Sequence, residues 1–236
     1  MTVLNDNFVF VHLPKTGGTM VENLLKKHFK VKREFNDSRQ RHGPISEIEI
    51  LDKKKRFAFG IIRNPIDYWG SFWSFDKTKR RMSFPVTRKL FKPVGTNNFN
   101  NFVQYCCKRK DNLSPILNFG VMNKLDIGIV TYRLMYLFCD PKIFKDKDWI
   151  KNFSEYFLLD YLLYFENLLE DLIKMFFNCK EYFPIDIEVC KNLINTPVVN
   201  ASTNRTNPPE INEEILALIK HKERLIYKYF YKGIDI

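Results

Sequence analysis

Phe8-Val9-Phe10-Val11-His12-Leu13-Pro14-Lys15-Thr16-Gly17-Gly18-Thr19 joins an apolar run to a glycine turn, and the rest of the chain is read outward from it. Its first four residues are β-branched or aromatic and predict a buried strand that stops before Pro14. From Val21 onward the apolar positions Val21, Leu24, Leu25 and then His28 or Phe29 recur at helical spacing. A strand, a glycine turn and a helix form a phosphate-binding arrangement for a physical reason. The free backbone N–H groups at a helix start point outward and carry the positive end of the helix dipole. Lys15 adds a full charge, Thr16 and Thr19 offer hydroxyl donors, and Gly17 and Gly18 let the backbone approach an anion closely.

The same pattern recurs twice further along. Arg56 to Ile62 is a near-continuous apolar run of the kind buried on both faces of a parallel sheet. It ends at Arg63-Asn64-Pro65, where the proline suits the first turn of a helix running through Trp69 and Phe75. Tyr156 to Phe165 predicts a third strand, ended by Glu166-Asn167 and followed by an amphipathic helix from Leu168 to Phe177. Further helices are expected over Asn98–Arg109, Thr131–Phe138 and Glu213–Phe230, with a loop over Thr196–Pro209. Alternating strands and helices predict an α/β fold, a central parallel β-sheet flanked by helices, in one domain spanning 1–236. A variable helical and loop region is expected at about 77–151.

The chain has 236 residues, 45% of them hydrophobic, and carries 38 Lys plus Arg against 27 Asp plus Glu for a net charge of +11. Core material is ample, which excludes disorder as the default, and the basic excess favours an anionic partner. The cations cluster at Lys26 to Arg33, at Lys53 to Arg56 and from Lys77 to Lys92, the last with seven cations and no acid. Five cysteines in no CxxC or Cys/His ligand pattern indicate neither a zinc site nor a disulfide framework. The N-terminus has no basic segment followed by a long apolar one, and no later run reaches the eighteen or so apolar residues of a spanning helix. A soluble, cytoplasmic protein without a transmembrane segment is the expectation.

His12-Leu13-Pro14-Lys15-Thr16-Gly17-Gly18-Thr19 resembles the 5′-phosphosulfate loop of the sulfotransferases that use 3′-phosphoadenosine-5′-phosphosulfate (PAPS), especially the carbohydrate branch. Arg63-Asn64-Pro65, with Ser71 eight positions beyond Arg63 on the following helix, resembles that family's 3′-phosphate element. Phe165-Glu166-Asn167-Leu168 and the tail from Val199 to Tyr229 are similar to its late strand, closing loop and helix. The resemblance implies a fold of the P-loop nucleotide-kinase type and transfer of a sulfuryl group to an acceptor hydroxyl, with a saccharide favoured, giving 3′,5′-bisphosphoadenosine (PAP). It implies no metal. By the same resemblance Lys15 contacts the bridging oxygen and 5′-phosphate, the backbone of Thr16, Gly17, Gly18 and Thr19 cradles that phosphate, and Arg63 and Ser71 hold the 3′-phosphate. Arg205, in the late polar loop, is placed either to cover the cofactor or to face solvent. His42, in Arg41-His42-Gly43-Pro44, stands where carbohydrate sulfotransferases carry a His-Gly segment with the catalytic base. His12 and Glu166 remain alternatives for that role.

Two other classes compete. In an ATP-binding Walker sequence the lysine follows the last glycine, whereas Lys15 precedes both, an order that disfavours a P-loop kinase or NTPase. A non-catalytic protein binding polyanions through its basic surface would need no cofactor site. The sequence carries no recognised nucleic-acid-binding signature.

Overall fold

A computed structural model describes residues 3–29, 33–34, 43–47, 56–77, 98–184 and 209–232. In chain order its strands are Val3–Leu4 (β1), Phe8–Val11 (β2), Arg33–Glu34 (β3), Phe57–Ile62 (β4), Asn112–Ser114 (β5), Leu117–Asn118 (β6) and Tyr161–Tyr164 (β7). Its helices include Gly18–His28 (α1), Pro65–Lys77 (α2), Phe99–Lys108 (α3), Phe119–Leu125 (α4), Ile129–Phe138 (α5), Phe153–Tyr156 (α6), Leu168–Asn178 (α7), Glu213–Lys222 (α8) and Arg224–Phe230 (α9). Contacts divide the chain into two compact units, one of residues 1–63 and 135–203, the other of residues 64–134 and 204–236.

The first unit is α/β. Its sheet has the order β3-β1-β2-β4-β7, in which β2, β4 and β7 are parallel, with Val11 opposite Gly60 and Ile62 opposite Tyr164. The expected parallel sheet is therefore present as three strands flanked by helices. The two-residue strands β1 and β3 add an antiparallel edge that the sequence pattern does not predict. Alternate residues of a strand face opposite sides. Phe8, Phe10, Phe57, Phe59, Ile61 and Leu163 pack on one side with Val21, Leu24 and Leu25 of α1 and Leu172, Met175 and Phe176 of α7. Phe183 enters the same cluster, stacked on Phe8 at 4.9 Å and edge-on to Phe59 at 5.7 Å. On the other side Gly60 leaves the space that the Phe138 ring fills, since a Cβ there would lie 2.7 Å from it.

The third strand is shorter than the expected Tyr156–Phe165. Asp160 supplies the reason, because its carboxylate accepts the Ala58 amide at 2.8 Å, where a ladder carbonyl would otherwise stand. Phe157 instead bridges Cys139, and residues 153–156 form a helical turn.

The second unit is mainly helical, with the hairpin β5-β6. Helix α2 starts as Pro65 predicts, with Asn64 accepting the Ile66 amide on its side chain and the Tyr68 amide on its carbonyl. Trp69 and Phe72 pack on Phe102, and Trp73 on Phe99. The expected terminal helix Glu213–Phe230 is two helices broken at Glu223, a residue with no exposed surface. Glu223 accepts from Trp69 Nε1 and the Val130 amide on one oxygen, and from the Thr131 amide and hydroxyl on the other, at 2.7–3.0 Å. This carboxylate serves the first turn of α5, where unpaired amides and the helix dipole favour negative charge. Among the described residues no helix is long and apolar enough to cross a membrane.

Candidate functional site

Parallel pairing brings the carboxyl ends of β2, β4 and β7 to one edge of the sheet, the edge where open α/β sheets place ligands. Three short segments leave there: His12–Gly17 after β2, Arg63 after β4, and Phe165–Asn167 after β7.

The first segment has an unusual backbone. Lys15 has φ 71° and Gly17 φ 77°, while Thr16 between them is outside the positive-φ region. Such alternation turns successive amides toward one concave side, a nest suited to an anion. A lysine at positive φ is strained, and strain of this kind is retained where the surroundings impose it. Thr16 is fully buried and its hydroxyl donates to the Leu13 carbonyl at 2.7 Å, so its side chain locks the loop. Thr19 is exposed on the first turn of α1. Among the described residues no side chain caps this helix start, no acid lies in its first turn, and no carbonyl takes the amides of Gly18 and Thr19. They are the orphan donors of a helix start, in the positive field of its dipole.

Both glycines are required by what lies beneath them. A Cβ on Gly18 would overlap the His12 ring, and one on Gly17 would meet the Phe165 ring at 3.0 Å. The loop therefore rests directly on two rings. His12 is buried, and its Nδ1 lies 2.6 Å from Glu22 Oε1. Burial acts to raise the Glu22 carboxyl and the hydrogen bond and charge of His12 act to lower it, and the group is held below its ordinary value.

Arg63 reaches back to this loop, its Nη1 donating to the Lys15 carbonyl at 3.3 Å. Its guanidinium also lies over the Phe165 ring, 4.3 Å from the centroid. The structure thus gathers Lys15, Thr16, Gly17, Gly18, Thr19 and Arg63 of the expected site at one sheet edge. Glu166 is exposed beside them, in the turn after β7. Ser71 is half-buried on α2 in the second unit. His42 and Arg205 lie outside the described residues. Of the other histidines, His221 pairs with Asp126 at 2.6 Å on the surface, and burial with the charge of Lys27 holds His28 below its usual value.

Phe165 is the residue whose part in the site the sequence pattern does not assign. Its signal lies in the strand register, because one step beyond the Ile62–Tyr164 pair Arg63 and Phe165 stand side by side. Among the described residues there is no group of three or more His, Cys, Asp or Glu that could hold a metal ion. No protein-family model, curated protein or solved structure matches this chain.

Proposed function

We propose that this chain is a PAPS-dependent sulfotransferase of the P-loop-like type that sulfates an acceptor hydroxyl, on a saccharide. One observation carries the reading: Lys15 and Gly17, both left-handed, shape a nest at the open start of α1, and Arg63 is fastened to the same loop through the Lys15 carbonyl. The residues fit a phosphosulfate, since the Gly18 and Thr19 amides, taken by no carbonyl among the described residues, and the Lys15 ammonium all favour an anion and no acid competes in the first turn.

PAPS, when bound, supplies an activated sulfuryl group. The chain would hold the donor's 5′ end in the nest, and Lys15 would stabilise the negative charge that grows on the departing phosphate. Arg63 presents the fork that suits a second phosphate. The acceptor's proton would pass to a base, His42 in this reading. His12 is the weaker candidate because its Nδ1 is engaged by Glu22 and its ring supports Gly18, and Glu166 serves as the second control.

The test is thermal unfolding with PAP against ATP plus magnesium. A ligand that binds only the folded protein at a hundred times its Kd stabilises by about 2.7 kcal/mol. PAP should raise Tm, and ATP should do so far less because it lacks a 3′-phosphate. Equal shifts would turn the reading toward a kinase or NTPase.

A further inference from the structure

We infer that Phe165 is a positioning residue: its ring holds the Arg63 guanidinium against the anion loop, so that anion binding at the loop depends on an aromatic side chain contributed by the turn after β7. The inference rests on the reading of the loop as an anion site and adds the turn after a third strand to it. Three observations support it. The Arg63 guanidinium lies over the face of Phe165, 4.3 Å from the ring centroid. An edge of the same ring faces Gly17, where a Cβ would come within 3.0 Å. Arg63 also donates to Lys15, the residue on the far side of Thr16 from Gly17. The ring therefore touches one left-handed residue of the loop and, through Arg63, is linked to the other.

The physical argument concerns freedom of movement. An arginine on a sheet edge has many rotamers, and ordering it on binding opposes affinity. A ring face attracts the guanidinium through its quadrupole and does not itself take up the N–H donors, which lie in the guanidinium plane. A guanidinium already held in place meets a phosphate with less entropy left to lose. An aliphatic side chain at 165 would fill the space beside Gly17 and would not supply this attraction.

The experiment replaces Phe165 with phenylalanines carrying successively more ring fluorines, which weaken the quadrupole and keep the ring's shape, alongside Phe165→Tyr and Phe165→Leu. The probes are PAP and inorganic pyrophosphate, and ligand-free Tm is recorded for each protein. We expect PAP affinity to fall in steps with fluorination, to drop on the order of tenfold in Phe165→Leu, and to persist in Phe165→Tyr, with ligand-free Tm flat across the fluorinated series. A flat affinity across that series would reduce Phe165 to packing and overturn the inference while leaving the sulfotransferase reading intact. A graded loss with pyrophosphate in a protein that does not bind PAP would uphold the inference and overturn that reading. Wild-type protein that binds neither probe would overturn both.

Discussion

Lys15 holds a backbone conformation that costs an L-residue about 1–2 kcal/mol, and a single experiment separates that strain from its charge. Lys15→Ala and Lys15→Gly both remove the ammonium group, but only alanine must keep the strained φ. The glycine variant is expected to be the more stable of the two by on the order of 1 kcal/mol in urea unfolding, with anion binding lost in both. Equal stabilities would mean that the loop relaxes once the lysine is gone. The His12–Glu22 pair makes a pH prediction. Glu22 titrates lower in the folded chain than its ordinary 4.5, so its stabilisation is present above that value and is lost as pH falls through the folded value. Between about pH 7 and about pH 3 the wild type should therefore lose more Tm than Glu22→Gln. The two glycines are legible in the sequence as a turn between strand and helix, but what lies beneath them is not. Sequence alone suggests that they admit the anion, whereas their missing Cβ atoms make room for His12 and Phe165. Phe165 reaches Gly17 from the turn after β7, and a contact so distant along the chain leaves no local trace in the sequence.

Elements followed the same division between local and distant causes. The strands Phe8–Val11 and Phe57–Ile62 and the helix after Pro65 are readable because dense apolar runs and a proline act within a few residues. The edge strands β1 and β3, two residues each, are too short to show a period. The sequence pattern of the terminal helix is continuous because its apolar stripe runs past the break. Its signal was Glu223 itself, a carboxylate four residues after Ile219 on the buried stripe of Ile215 and Ile219. Burial pushes the Glu223 carboxyl up from its ordinary value, against four donors that favour the ionised form. Glu223→Gln replaces one accepting oxygen with an amide nitrogen, leaving buried N–H groups facing another donor. The expected loss is about 2–4 kcal/mol in urea unfolding, against about 1 kcal/mol for Thr131→Val, which removes one hydroxyl bond. A loss for Glu223→Gln no larger than that for Thr131→Val would show that the four bonds do not act as a unit.

For the whole molecule, the net charge of +11 leaves an enzyme acting on acidic saccharides and a passive polyanion binder both consistent with composition, and only a site-specific measurement divides them. Polymer binding by a diffuse basic surface releases counterions, so its log affinity falls linearly with log salt, and each cation contributes on the order of one unit of slope or less. A nucleotide held by the Lys15–Gly18 nest relies on a few fixed groups, and one residue there decides its affinity. Lys15→Ala is therefore expected to leave the binding of a sulfated polysaccharide and its salt slope nearly unchanged, while removing most of the Tm shift given by PAP. The measurement is polymer affinity at several salt concentrations beside PAP thermal shifts, for wild type and Lys15→Ala. Wild-type protein that binds the polymer steeply in salt and shows no PAP shift would make the basic surface the function. A PAP shift that Lys15→Ala leaves intact would move the nucleotide away from the loop, and with it the role proposed for Arg63.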